Sequence, residues 1–181
     1  FYSDLGANKD LYQAFKRVSQ TELNVQQQHI VNDSLRSFEL SGVALDGAKS
    51  ERFKEIKEQL SVLSNQFSKN VLQSTNSWKK TVSANDLKGY GADEFSKVKK
   101  GDHYEISLQV PVYIDLMTYA DSSDLREEVY KAYISRASDI GITSKEFNNR
   151  PIMDEILKLR SEMSELVGFS NYAEYSTQSK M

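Results

Sequence analysis

Two histidines, His29 and His103, are the only imidazole groups in this sequence of 181 residues. A helical zinc site of the His-Glu-x-x-His type needs two imidazoles four positions apart, because only then do both point at one metal ion. It also needs a carboxylate beside them to activate water. His29 follows a polar run of glutamines and is expected on the surface, and His103 lies in a predicted loop just before a strand. We therefore predict that neither histidine binds a metal.

Other side-chain patterns that support catalysis are also missing from the sequence. It has no cysteine, which excludes thiol nucleophiles, disulfides and cysteine zinc sites, and it has neither a Gly-x-Ser-x-Gly turn nor a glycine-rich phosphate loop. Gly89 and Gly91 are predicted to be turn residues. The carboxylate pairs Glu127-Glu128 and Asp154-Glu155 are adjacent, so on a helix their members diverge by about 100°. From the residues alone we predict no catalytic, cofactor-binding or metal-binding residue in this chain.

Bulk composition excludes several classes of partner. The formal net charge is −3 and no basic stripe is present, so we expect no nucleic acid partner. We interpret the short lysine-rich run 97–100 as the edge of a solvated loop. No apolar stretch is long enough to cross a membrane. The absence of cysteine fits a reducing compartment, and we expect a cytoplasmic protein.

Two helices are predicted at the start of the chain. Apolar residues recur at helical spacing over 9–20 and again over 21–42. Thr21 is the expected N-cap of the second helix, and Gly42 is its expected end.

A longer amphipathic helix is predicted over 48–76 from a single apolar stripe that recurs at steps of three and four residues. The stripe consists of Phe53, Ile56, Leu60, Leu63, Phe67, Val71, Ser74 and Trp78. We interpret it as a packing surface and expect four members to be well buried, namely Leu60, Leu63, Phe67 and Trp78. The short link Val43–Gly47 is expected to fold this helix back on the preceding one as an antiparallel hairpin, the centre of the fold.

The apolar pattern changes from helical spacing to strand spacing at Tyr104, and apolar and polar residues alternate up to Val110. This alternation predicts a half-buried strand over 104–110. Pro111 has no N–H and holds Val110 extended, so the strand is expected to end there. Because a lone strand leaves its backbone groups unpaired, we predict an antiparallel partner at 79–83.

Short helices are predicted on either side of this strand. One is expected near 93–99 and another over 112–119. Asp121 or Ser122 is expected to cap the next helix. One face of that helix carries Leu125, Val129, Ala132, Tyr133 and Arg136.

The last part of the chain is predicted to be a loop followed by two helices. The loop covers 138–149, and Pro151 suits the first position of a helix that ends at Gly168. Its helical stripe consists of Ile152, Ile156, Leu157, Arg160, Met163 and Val167. Ser170 starts a further helix, which the end of the chain interrupts. The predicted fold class is therefore mainly α, a long antiparallel helical hairpin plus further helices, with one small antiparallel β element.

Several segments resemble one known family, and they do so in the family's order. They are 35–42 (LRSFELSG), 60–72 (LSVLSNQFSKNVL), 111–119 (PVY through MTY), 125–133 (LREEVYKAY), 136–139 (RASD), 148–160 (NNRPIMDEILKLR) and 166–173 (LVGF through NYA). Together they resemble the M3 zinc oligopeptidases, the family of thimet oligopeptidase and neurolysin, and most of all its bacterial oligopeptidase A type. The resemblance covers nearly the whole chain. No single segment is a catalytic motif, but the ordered set is specific.

The resemblance implies a helical protein with two lobes around a deep, narrow channel, in which the family cleaves short unstructured peptides. It implies Zn²⁺ in the full-length protein, held by a His-Glu-x-x-His helix and a later glutamate in the family's second half. Nothing in this chain matches those positions, so no catalytic or metal residue is carried over. Residues 1–181 are then expected to be an N-terminal helical lobe without the catalytic zinc domain, whose partners are short peptides and the C-terminal catalytic lobe. The isolated chain is expected to bind no zinc and to be inactive.

Two other interpretations remain open at this point. The chain is either a free-standing helical module that binds partner helices or peptides in an apolar groove, or a structural helical scaffold. The reading frame beyond Met181 separates these interpretations from the first, because a His-Glu-x-x-His motif downstream favours the peptidase lobe and an early stop codon favours the others.

Overall fold

The computed structural model of the chain describes residues 8–141 and 145–180. Within these residues it contains eight α-helices and one small antiparallel sheet of three strands, which confirms the predicted mainly α fold class. The chain divides into two compact units. Unit 1 runs up to Val62 and resumes at Glu155, and unit 2 covers Leu63–Asp154. No helix within the described ranges is long and apolar enough to cross a membrane.

Helix α1 (Lys9–Val18) and helix α2 (Val25–Leu40) open unit 1. The predicted cap Thr21 is wrong, because its hydroxyl donates to the carbonyl of Val18 and completes the turn after α1. Asn24 caps α2 instead, and its side chain accepts from the Gln27 N–H while the Gln27 side chain accepts from the Asn24 N–H. This reciprocal pair satisfies two backbone donors that a helix start leaves free.

A small apolar cluster holds the start of unit 1 together. It consists of buried Tyr12, Phe38 and Val43, with Leu11, Phe15 and Leu35 packed against it. The Phe38 ring lies 5.9 Å from the Tyr12 ring and 5.6 Å from the Phe15 ring, so aromatic contacts join α1 to α2.

Helix α3 (Gly47–Ser77) is the predicted long helix. Gly42 ends the preceding turn with φ +82°, and the Phe53 ring lies so close that a Cβ at Gly42 would be 2.7 Å from it. This contact places the start of α3 against the end of α2. The antiparallel course of the two helices over their full lengths stays a prediction.

The prediction that four members of the α3 stripe are well buried is wrong, and two apolar members at the start of the stripe are buried instead. Phe53 and Ile56 are buried. Leu60, Leu63, Phe67 and Trp78 are only half-buried. In the second half of α3 the buried side chains are polar instead, namely Asn70, Ser74 and Thr75, because hydrogen bonds rather than apolar contacts join this part of the helix to the rest of unit 2.

The sheet of unit 2 consists of β1 (Lys79–Val82), β2 (Lys99–Lys100) and β3 (His103–Ser107), in the order β1-β3-β2. The predicted antiparallel pairing is confirmed, with Lys79 opposite Ser107 and Val82 opposite Tyr104. The lysine run predicted as a loop edge in fact supplies β2, which is too short to show a sequence pattern. His103 is a strand residue rather than a loop residue.

The predicted strand end at Val110 is wrong. Strand β3 stops at Ser107, and Val110 is the first residue of helix α5 (Val110–Tyr119). Pro111 therefore lies in the first turn of a helix. The N–H groups of that turn have no partner within the helix, so the missing N–H of proline costs no hydrogen bond. Pro111 lies near the boundary of an element as expected, but it marks the start of α5 and not the end of β3.

Two further helices complete unit 2, α4 (Ala92–Val98) and α6 (Ser123–Ile134). Ser122 caps α6 by accepting from the Leu125 N–H, as one of the two predicted caps. The core is a single apolar cluster formed by the strands and by α4, α5 and α6. Its buried members are Val82, Leu87, Val98, Ile106, Leu108, Leu116, Ala120, Leu125, Val129 and Ala132.

Helices α7 (Arg150–Leu166) and α8 (Tyr172–Thr177) close the chain. Gly168 follows α7 with φ +90°, as predicted. Asn171 rather than Ser170 caps α8, which ends at Thr177 and does not continue to the end of the chain.

The predicted stripe of α7 has one error, because Leu157 is 64% exposed and Leu159 is 1% exposed. The predicted loop over 138–149 contains a short 3₁₀ helix, Lys145–Phe147, and part of that loop lies outside the described residues.

An ion pair joins α3 to α7 within unit 1. Arg52 donates through Nε and Nη2 to the two carboxylate oxygens of Glu162, at 2.6 and 2.8 Å. Glu55 accepts a third hydrogen bond from Arg52, at 3.1 Å. Hydrogen bonding to the Arg52 guanidinium holds the pKa of Glu162 below its usual value. Two parallel bonds of this kind fix orientation as well as distance.

Gly42→Ala is expected to destabilise the chain more than Gly168→Ala does. Both glycines have left-handed backbone, so alanine costs each position about 1–2 kcal/mol. At Gly42 the new methyl group also meets the buried Phe53 ring, whereas no heavy atom lies within 4 Å of a Cβ at Gly168. Unfolding of both variants in urea measures the difference, and equal losses would show that the ring contact does not matter.

Glu162→Gln is expected to lower the melting temperature near pH 7 and to have a smaller effect as the pH falls towards 3. The folded pKa of Glu162 is depressed, so its contribution is present above the unfolded pKa and is lost as the pH falls through the folded pKa. Thermal unfolding of both proteins between pH 3 and pH 7 tests this, with the exposed Glu58→Gln as the control for simple loss of charge. If the difference in melting temperature between the wild-type protein and Glu162→Gln stayed constant with pH, the role of the ion pair would be contradicted.

Candidate functional site

The two histidines lie in different units, His29 in unit 1 and His103 in unit 2. His29 is exposed on α2, with its Nδ1 3.6 Å from Asp33. His103 is exposed on β3. Among residues 8–141 and 145–180, no group of three or more His, Cys, Asp or Glu side chains converges on one point. These residues therefore do not fit a zinc ion, and we assign no chemical step to one within this part of the chain.

The adjacent carboxylates diverge as predicted and take separate basic partners. Glu127 pairs with Lys131, and Glu128 pairs with Lys80 on β1. On α7, Asp154 lies 3.6 Å from the Arg150 guanidinium. The two neighbouring carboxylates on α6 thus point to different basic partners.

Tyr90 is also a poor candidate for acid–base chemistry. Its hydroxyl is the one buried side-chain polar atom found without a hydrogen-bond partner in the described residues. Burial, together with the negative charges of Asp115 and Glu94, raises the pKa of Tyr90 to about 12. The hydroxyl therefore stays protonated near neutral pH and cannot serve as a base.

Unit 1 contains a pocket of about 460 Å³ between α2 and the segment that follows α7. Its lining is half apolar, with Leu35, Leu40, Val167 and Phe169, and half polar, with Asn32, Arg36, Glu39 and Gln178. The Tyr175 hydroxyl donates to the Leu40 carbonyl at 2.9 Å and ties the two walls together. A pocket of this size can hold a short piece of peptide or a small molecule.

Unit 2 contains a buried polar seam between α3 and the segment before α7. The Asn70 amide donates to the side-chain oxygen of Asn149 at 2.9 Å, and the Asn149 amide donates to the Phe67 carbonyl at 3.1 Å. Gln66 donates to the side-chain oxygen of Asn70 at 2.6 Å. Asn149 is 2% exposed and Asn70 is 5% exposed, so the bond between them is shielded from water.

Ala137 is the backbone link of the seam. Its N–H donates to the Ser74 hydroxyl at 3.0 Å, and its carbonyl accepts from the Asn149 N–H at 2.8 Å. Its φ is +51°, a left-handed conformation that costs a non-glycine residue free energy unless its surroundings fix it. The two backbone bonds provide that constraint and bring the ends of the segment 138–148 together.

An aromatic and guanidinium stack adjoins the seam. The Arg136 guanidinium donates through Nη1 to Thr75 Oγ1 and through Nε to the Tyr133 carbonyl, both at 2.8 Å. It lies 3.6 Å from the centre of the Tyr133 ring. The Tyr113 ring stacks on the same ring at 3.8 Å with an angle of 12° between the planes. Two groups this close to one ring centre must occupy opposite faces, so Tyr133 is held between Arg136 and Tyr113.

Sequence reasoning did not identify the seam or the stack as sites. Arg136 was predicted to share the face of the helix with Leu125 and Val129, but α6 ends at Ile134 and Arg136 folds back over Tyr133. The segments 136–139 and 148–160 were part of the family resemblance, yet nothing in their residue types indicates which partners they find on α3.

Asn149→Ala is expected to lower the free energy of unfolding by about 1–3 kcal/mol, because it leaves the buried amide of Asn70 without its acceptor. Asn65→Ala on the exposed side of α3 is the control and is expected to change stability by less than about 0.5 kcal/mol. Urea unfolding of both variants measures the difference. A small loss for Asn149→Ala would mean that water replaces the missing partner.

Comparison with known proteins points to one family. Residues 116–181 match the family model described as Peptidase family M3. Oligopeptidase A of Salmonella typhimurium is 39% identical over 98% of this chain and 28% of its own length. In Arabidopsis thaliana, the probable cytosolic oligopeptidase A and the organellar (chloroplastic/mitochondrial) oligopeptidase A are each 36% identical over all of this chain, which covers 28% and 24% of their lengths.

The chain thus spans about a quarter of the length of the curated relatives that it matches. The resemblance drawn from the ordered segments is confirmed: over nearly all its length, this chain is related to one part of the oligopeptidases of peptidase family M3.

Proposed function

We propose that this chain is the N-terminal lobe of a zinc oligopeptidase of family M3 and forms one wall of a channel that admits short unstructured peptides. The observation that carries the proposal is the 39% identity to oligopeptidase A over 98% of the chain. The match of residues 116–181 to the M3 family model supports it independently.

The side chains present in this chain suggest which part of the protein carries out the chemistry. Hydrolysis by zinc requires converging ligands and a carboxylate that moves a proton. Residues 8–141 and 145–180 offer no such group, so the zinc ligands and the base are proposed to lie in the rest of the protein, the catalytic lobe that is this chain's partner. Zinc, when bound there, would activate the attacking water.

A channel wall would act through exclusion rather than through chemistry. An extended peptide fits a narrow channel, whereas a folded domain would first have to unfold at a cost of roughly 5–15 kcal/mol. Short unstructured peptides are therefore the proposed substrates. The net charge of −3 gives no attraction for nucleic acid, and we propose neither a nucleic acid nor a membrane partner.

The cytoplasm is the proposed location. The absence of cysteine fits a reducing compartment, and one of the plant relatives is named as probably cytosolic. Another plant relative of equal identity is named as organellar, so the location is tested by fractionation of the source cells and not by similarity.

The purified 181-residue chain is expected to bind no stoichiometric zinc and to cleave no short peptide, whereas the full-length protein is expected to do both. Metal analysis beside a fluorogenic peptide assay tests this, with circular dichroism to show that the isolated chain is helical. The full-length protein with and without a chelator is the matched control. Chelator-sensitive turnover by the isolated chain would refute the proposed division, and a full-length protein without peptidase activity would refute the proposed function.

A helical binding module is the alternative function, and one observation favours it. The pocket of unit 1 has the size and the mixed lining of a site for a short peptide segment. An open reading frame that stops soon after Met181, together with peptide binding and no hydrolysis, would support this alternative over the peptidase lobe.

A further inference from the structure

We propose that the pocket of unit 1 is occupied in the full-length protein by the protein's own chain, namely by the segment that directly follows residue 181. This rests on the proposed function, which makes the chain one lobe of a longer protein. The pocket then joins this lobe to the rest of the polypeptide and is not a site for a free peptide.

Apolar side chains form half of the pocket's lining, and the protein covers them only in part. The four apolar lining residues, Leu35, Leu40, Val167 and Phe169, are all half-buried. They surround one cavity of about 460 Å³, which is large enough to enclose a short piece of chain. Filling the cavity with apolar groups would remove this surface from water, which is the main driving force for such contacts.

The walls of the pocket are held in place by contacts within unit 1. The Tyr175 hydroxyl donates to the Leu40 carbonyl at 2.9 Å, and the Tyr175 ring meets the Phe169 ring edge-on at 5.8 Å. The Phe169 N–H donates to the Ser164 carbonyl at 3.0 Å and so fixes the turn after α7. Because the walls are already ordered, an occupant would lose little free energy in shaping its own site.

The charged side chains at the pocket have partners within unit 1. Glu39 accepts a hydrogen bond from the Tyr12 hydroxyl at 3.0 Å, and Arg36 lies 4.0 Å from a carboxylate oxygen three residues earlier on α2. The remaining polar lining consists of the amides of Asn32 and Gln178, which donate and accept hydrogen bonds as a peptide backbone does. The lining therefore favours an uncharged piece of chain over a charged ligand.

Gln178 brings the following chain to the edge of the pocket. It lines the pocket and lies three residues before Met181. Each residue adds at most about 3.6 Å to an extended chain, so the first residue after Met181 is within about 15 Å of Gln178 in any conformation. This chain covers 28% of oligopeptidase A of Salmonella typhimurium, and the proposed full-length protein continues well beyond this lobe.

Covalent connection also favours this segment over a separate molecule. A segment tethered by a short flexible link has an effective concentration on the order of millimolar at its site, and it needs no strong contact to stay bound. A free ligand or a second copy of the protein must bind from its bulk concentration. Residues 1–7 are tethered as well, so the experiment has to identify the occupant and not only show that the pocket is covered.

Photo-cross-linking of the full-length protein identifies the occupant. One variant carries p-benzoylphenylalanine in place of Asn32 at the pocket, and the other carries it in place of Glu58 on the exposed side of α3. The products are mapped by mass spectrometry. The probe at position 32 is expected to form a cross-link within one molecule to the residues just after Met181. The probe at position 58 is the control for chance contact on a helix surface and is expected not to reach that segment.

Thiol labelling then measures whether the pocket is covered in the same protein. Asn32 and Glu58 are both exposed helical residues here, so equal labelling rates are expected if the pocket stays open. With the segment in place, Asn32→Cys is expected to react with a maleimide at least about tenfold more slowly than Glu58→Cys, because the reagent must wait for local opening. Peptide mass spectrometry follows the label at each position, and the two thiols are expected to react equally in urea.

Peptidase activity is measured beside both tests, so that the two proposals fail separately. A cross-link to residues 1–7, to a second copy or to a distant part of the protein, the absence of any cross-link, or equal labelling of the two native thiols would overturn the proposed occupant. An active peptidase with such a result would keep the proposed function. A cross-link to the expected segment in a protein that cleaves no peptide would support the occupant and refute the proposed function.

Discussion

The hydrogen bond between the buried side chains of Asn70 and Asn149 fixes how α3 meets the segment before α7 in unit 2. It joins α3 to residues 79 positions later, and the backbone bonds of Ala137 complete the same seam. Arg136, the residue before Ala137, lies against Thr75 and over Tyr133. A buried amide that is fully paired specifies one arrangement, because any shift leaves a polar group unsatisfied.

In unit 1, different contacts hold the helices against one another. Its first helices meet through aromatic rings, and α3 and α7 meet through the two-bond pair of Arg52 and Glu162. Apolar contacts bury surface, but they tolerate small shifts of one helix against another. The guanidinium and carboxylate planes must align, so this pair fixes the orientation of the two helices. Each unit therefore combines a non-directional apolar cluster with directional polar contacts.

Local patterns in the sequence predicted most of the helices and strands. They predicted little of the seam and the stack. The change of apolar spacing at Tyr104 predicted β3 and its partner, since strand alternation is a local signal. Asn70 gave no such signal, because a polar residue on a long helix is normally exposed and its burial depends on Asn149. The place of Arg136 likewise required knowing where α6 ends, and helix ends are set by capping contacts as well as by periodicity.

Both outer strands of the small sheet carry lysines. Lys79 and Lys80 lie on β1, Lys99 and Lys100 make up all of β2, and β3 is enclosed between them. A free strand edge is a template for any extended chain, and short edges rich in lysine discourage such pairing. The lysines on β1 and β2 therefore disfavour the addition of an extended peptide to this sheet.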